Sequence, residues 1–109
     1  MKDFMNQKPI SEAQIQTGIL HYLRKYFPSA IVWKIHEDSV FGVIGVPDIL
    51  FIHKGKVFFF EVKRAGQGAS KIQAVVLQKL QNNDVVAEVV YSLMQVKLIL
   101  LREGVNIKL

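Results

Sequence analysis

The sequence contains no cysteine. That excludes disulfides and thiolate zinc sites and leaves oxygen and imidazole groups as the only metal ligands. Long apolar runs are also missing. Stretches such as Val57–Phe60 and Leu98–Leu101 are four residues long, whereas a membrane span needs about 20. The opening Met1-Lys2-Asp3-Phe4 carries no apolar stretch of the signal-peptide kind, so a soluble, cytoplasmic protein is expected. No repeat, low-complexity tract or linker divides the 109 residues. That length suits a single domain spanning 1–109, with residues 1–10 as a loose lead-in.

What is present is apolar and basic. Half of the residues are hydrophobic, enough for a core, and in so small a domain the surplus suggests a subunit contact. The formal charge of +5 suits a polyanionic partner such as nucleic acid.

Periodicity divides the chain into seven elements. Ser11 opens a helix with Gln14 at the capping-box position, and Ile15, Ile19, Leu20, Leu23 and Phe27 recur at helical spacing up to Pro28. Ile31–His36 reads as a strand, followed by a loop to Pro47 in which Gly42 and Gly45 permit tight turns. Asp48–His53 and Lys56–Lys63 read as strands around a Lys54-Gly55 turn. Ser70, with Gln73 three residues on, starts a second helix with Ile72, Val75, Val76, Leu77 and Leu80 as its apolar residues. Val85–Tyr91 is a strand, and Ser92 to about Leu101 a closing helix. The order α-β-β-β-α-β-α predicts an α/β fold, a mixed sheet flanked by helices.

The hairpin bears the chemistry. With a two-residue turn, His53 faces Lys56 and facing positions sum to 109, as do Asp48 and Glu61. The two acids would then lie directly opposite each other, Cβ atoms roughly 4.5–5.5 Å apart. A four-residue loop keeps this register and a three-residue loop destroys it. The flanking runs Ile49–Ile52 and Val57–Phe60 are apolar on both faces, as in the covered interior of a sheet. Two carboxylates there repel each other unless a cation lies between them, and Mg²⁺ is commonly held by one or two carboxylates, waters and phosphate oxygens. Lys63, two residues past Glu61, shares its face and can hold an attacking water or stabilise charge on a phosphate. Such a set suits phosphodiester hydrolysis. The rival reading makes Asp48 a turn residue and Glu61–Lys63 an exposed ion pair.

The segments Gly45-Val46-Pro47-Asp48 and Glu61-Val62-Lys63 resemble the signature of the PD-(D/E)xK nuclease superfamily. Glu12 with Ile15-Gln16 and Tyr22-Leu23, the Trp33 strand, the Gly55 turn, Ser70-x-x-Gln73 and Val89-Val90-Tyr91-Ser92 resemble, in order, the VRR-NUC family, of the stand-alone phage and bacterial type. The resemblance runs from about residue 11 to 101, and departs at Asp84, where glycine is expected in the turn. It implies a restriction-endonuclease-like core, similar to Holliday-junction resolvases, and dependence on Mg²⁺ or Mn²⁺. It also implies homodimeric cutting of branched DNA. Carried over by position, Asp48 and Glu61 are metal ligands, Lys63 is the catalytic lysine, Glu12 an additional acid near the metal and Gln73 a polar residue facing the site. The backbone carbonyl of Val62 completes the metal shell.

Several residues have a structural rival. Glu12 in a first helical turn also simply favours the helix dipole, and the capping box accounts for Gln73 by itself. His36, which ends a strand beside the glycine loop, and His53, some 16 Å from Asp48 along its strand, have the chemistry of a ligand or general base, but neither is expected to bind metal; His21, mid-helix, is expected on the surface. Lys54, Lys56, Arg64 and Lys71 are candidates for a phosphate-binding rim, or are solvated strand-end charges. Two further classes compete with a nuclease: a non-catalytic DNA-binding module, suggested by the charge, and an interaction subunit of a larger nuclease complex, suggested by the apolar surplus.

Overall fold

The computed structural model of the chain describes residues 9–35 and 44–108. Helix α1 (Glu12–Tyr26) begins at Ser11, whose hydroxyl accepts from the Gln14 N–H while the Gln14 side chain accepts from the Ser11 N–H. This reciprocal pair satisfies two amides that the first turn would otherwise leave open. Ile19, Leu20 and Leu23 are buried, and the helix ends before Pro28. Strands β1 (Ile31–Lys34), β2 (Ile49–His53) and β3 (Lys56–Val62) follow, then α2 (Lys71–Asn82), β4 (Val86–Val90) and α3 (Leu93–Arg102). The expected order of elements is therefore the observed one, with ends shifted by a residue or two.

The strands form one mixed sheet in the order β1-β2-β3-β4, antiparallel except for the parallel pair β3–β4. A parallel pair needs a crossover, which α2 supplies. Lys54 and Gly55 both take positive φ, 49° and 79°, the two-residue turn whose twist matches a hairpin. His53 accordingly faces Lys56, and Ile49 faces Phe60, so the register in which facing positions sum to 109 holds along the hairpin.

Alternation along β2 and β3 divides the interior into two layers. Ile49, Phe51, Phe58, Phe60 and Val62 pack with Leu23, Val96 and Leu100 beneath α1 and α3. Leu50 and Phe59 pack with Ile35, Leu77 and Ala87 on the side of α2. Phe51, Phe58 and Phe60 are fully buried, each worth roughly 1.5–3 kcal/mol. A one-residue slip would shift these side chains into the layer on the side of α2, so the packing of these phenylalanines locks the register on which the acidic pair depends.

Helix α2 differs from its sequence reading. Ile72 and Val75 are 52% and 55% exposed, and Leu77 is the helix's only buried residue. The inward face runs through Gln73, Leu77 and Leu80, spaced four and three residues apart. Ile72 instead meets the loop before β2: a Cβ added at Gly45, where φ is +88°, would stand 2.6 Å from its Cγ2. Glycine at that position lets the segment leading to Asp48 lie directly against the first turn of α2.

Candidate active site

Asp48 immediately precedes β2 and Glu61 is the penultimate residue of β3, so one further step of the ladder brings them together. Asp48 is held from both sides. Its carbonyl accepts from the Ile35 N–H at 2.7 Å, and its Oδ2 accepts from the Val62 N–H at 2.8 Å. Glu61 is 2% exposed and is the one buried charged residue among those described. Its Oε2 accepts from Gln73 Nε2 at 3.1 Å and lies 3.6 Å from Lys63 Nζ. At that separation the lysine acts through charge more than through a tight hydrogen bond. The other oxygen, Oε1, is buried without a hydrogen-bond partner.

Both carboxyls are pushed upward. For Asp48 the main cause is burial, opposed by the Val62 amide and the Lys63 charge. Glu61 is pushed up to about 8, first by burial and then by the charge of Asp48, with Lys63 opposing. Two acids within reach of one shared proton, beneath apolar walls, favour a single negative charge on the pair.

Gln73 performs both of the tasks that seemed to be rivals. Its carbonyl oxygen accepts from the Ser70 N–H at 2.9 Å while its amide nitrogen donates to Glu61. A side-chain amide offers a donor and an acceptor, so the helix cap orients the donor toward the acid. Its spacing with Leu77 and Leu80 was the sequence signal for this inward placement.

The other candidates are scattered. Glu12 lies on α1, whose buried residues pack on the far face of the sheet, and it reaches Asp48 only through its charge, which helps to raise that group. Among the described residues no three Asp, Glu or His side chains converge as a metal-ligand set, so Glu12 stands outside the pair. Arg64 follows Lys63 directly, and Lys71 lies in the first turn of α2 near Gln73; both are exposed. Lys54 and Lys56 lie at the turn end of the hairpin instead, and Lys56 Nζ donates to the Glu103 carbonyl at 2.6 Å. The four cations therefore form no single rim, because the length of the hairpin separates them. His53 stacks on Phe51 at the same far end, 6.0 Å between ring centroids, and His21 is exposed. His36 and Gly42 lie outside the described residues.

The pair also suits a divalent cation. The donors are hard carboxylate oxygens, one of them buried and unpartnered, and a positive charge beside them would favour the ionised forms and so offset the burial and mutual repulsion that raise the pair.

No family model matches the sequence, and no curated protein matches it. A solved structure titled "VRR_NUC domain" is similar, with a TM-score of 0.63 and 22% identity over 87% of this chain and 99% of that one. The restriction-endonuclease-like architecture expected from the sequence is thus the fold observed.

Proposed function

We propose that this chain is a Mg²⁺- or Mn²⁺-dependent DNA endonuclease, selective for branched DNA such as four-way junctions. The observation that carries this reading is the pairing of half-buried Asp48 with buried Glu61, with an unpartnered Glu61 oxygen and the Lys63 ammonium alongside. Two repelling acids in an apolar interior destabilise a fold, and a protein that only binds DNA gains nothing from them. The likeness to a domain named for nuclease activity supports the same reading.

Asp48 and Glu61 would hold the cation, with the Val62 carbonyl beside them and Glu12 as a longer-range acid. When bound, the cation supplies Lewis-acid polarisation of a phosphate oxygen and a more acidic water. The protein groups do the rest. Gln73 fixes Glu61 by one oxygen, leaving the other free. The Val62 amide fixes Asp48 in the same way. Lys63, 16% exposed, holds its ammonium beside the pair, where it can orient a water and offset the charge that grows on the phosphate. A water oxygen bonds to phosphorus and gives up one proton to solvent, one ester P–O bond breaks, and the departing alkoxide takes a proton from solvent.

A homodimer acting in the cytoplasm of a bacterial or phage-infected cell completes the proposal. Two sites related by a twofold axis suit the two strands of a symmetric junction. Apolar surface for a subunit contact is available, with Trp33 51% and Ile44 63% exposed in addition to Ile72 and Val75. Among the described residues no helix is long and apolar enough to cross a membrane.

The test is cleavage of labelled four-way, flap and plain duplex DNA in Mg²⁺ or Mn²⁺. Wild-type protein is expected to cut the branched substrates first. Cutting that persists at full rate in both Asp48→Ala and Lys63→Ala proteins would refute the site.

A further inference from the structure

Far from the acidic pair, the last turn of α1 and the segment after α3 enclose a cleft of about 550 Å³, lined by Tyr22, Tyr26, Lys97, Asn106 and Lys108 among others. A second cleft of about 500 Å³ shares Tyr26, Phe27 and Asn106 with it and extends to His53, Lys54 and Lys56. Through these shared walls the two clefts make one groove. It lies at the turn end of the hairpin, on the side of α1 and α3, whereas Asp48 and Glu61 lie at the other end on the side of α2.

Its chemistry is aromatic and cationic. Tyr26 is 59% exposed, although an aromatic ring gains by burial, and its centroid is 4.9 Å from that of the buried Tyr22. Lys97 Nζ lies 4.9 Å from the Tyr22 centroid, and Lys25 Nζ 5.4 Å from that of Tyr26. Among the described residues, no acidic side chain lines the first cleft. The second has Glu103, whose carboxylate is already engaged by Lys56 at 3.7 Å and Arg102 at 2.9 Å. The groove therefore offers a supported ring for stacking, flanked by the Lys97 and Lys108 ammonium groups, which no acid among the described lining residues of their cleft neutralises.

A nucleotide strand with unpaired bases has the complementary chemistry, planar faces to stack and phosphates to pair with lysine. A duplex presents the phosphates but keeps its base faces stacked inside. We propose that this groove binds single-stranded nucleic acid, with one base on Tyr26 and the adjoining phosphates at Lys97 and Lys108.

The experiment uses the full chain in EDTA, so that it reads binding alone and is independent of the hydrolysis proposed above. A fluorescein-labelled oligothymidylate is titrated by anisotropy, with an equal-length duplex and thymidine monophosphate as competitors. The oligonucleotide is expected to bind, the duplex to compete roughly tenfold less well and the monophosphate less still. Tyr26→Ala should weaken binding roughly tenfold, in line with the loss of one stacked base, while Tyr26→Phe, which keeps the ring, should bind as wild type. Removing both ammonium groups, Lys97→Gln with Lys108→Gln, should reduce the slope of log affinity against log salt by about 1.4, from about 0.7 for each phosphate contact. Three results overturn the proposal: unchanged binding in Tyr26→Ala, duplex competing as well as the single strand, or monophosphate competing as well as the oligonucleotide.

Discussion

Replacing Glu61 by glutamine should make the metal-free protein more stable at high pH and leave it nearly unchanged at low pH. The carboxyl titrates near 4.5 when unfolded and near 8 when folded, because burial and the Asp48 charge both oppose its ionisation. A group raised in this way contributes its full stability below the unfolded value and loses it as pH climbs toward the folded one. Between 4.5 and about 8, at about 1.4 kcal/mol per pH unit, the ceiling is about 5 kcal/mol. The titration is shared with Asp48, and Lys63 loses a charged partner, so a gain of about 2–4 kcal/mol is the working figure. For a chain of this size that corresponds to a rise in Tm on the order of 10 °C. The assay is thermal melting of wild type and Glu61→Gln in EDTA at pH 5 and pH 9. Groups outside the Asp48–Glu61–Lys63 cluster titrate alike in the two proteins and cancel in the difference. Equal shifts at both pH values, or a loss at pH 9, would show that Glu61 is not held against its own charge.

Three further outcomes follow from the same geometry. Mg²⁺ or Mn²⁺ should stabilise wild type at pH 8 by about 2.7 kcal/mol at a hundredfold excess over Kd, raising its Tm; calorimetry should find the effect absent in Glu61→Gln. Gly45→Ala should cost about 2–4 kcal/mol in denaturant melts, since a side chain there meets both a φ of +88° and Ile72 at 2.6 Å. Asp84→Gly should stabilise by up to about 1 kcal/mol in the same assay, because Asp84 has φ +62°, a conformation that costs glycine little; nuclease activity should not change.

The departure at Asp84 shows how local information can be read directly. The turn there demands a left-handed residue, and aspartate is tolerated where glycine would be easier. The capping boxes at Ser11 and Ser70 and the Lys54-Gly55 turn are equally local, each set by side chains a few residues apart. Register was legible for a related reason: a two-residue turn and a period of two leave a single pairing that buries Phe58 and Phe60.

What the sequence determined by itself was therefore the order of elements, the hairpin and the meeting of Asp48 with Glu61, all consequences of local turn chemistry and short-range periodicity. Tertiary structure decided the rest. Whether α2 buries Ile72 and Val75 or Gln73 and Leu77 depends on its rotation against the sheet, which apolar spacing alone leaves open. That rotation brings Gln73 to Glu61. It is also packing, with α1 on the opposite face of the sheet, that leaves Glu12 at long range, and the length of the hairpin that separates Lys54 and Lys56 from Arg64 and Lys71. Likewise the groove at Tyr26 joins residues from α1, the hairpin turn and the segment after α3, and no local pattern links them. A chain records its neighbours along the backbone, while contacts between distant segments arise only when whole elements pack.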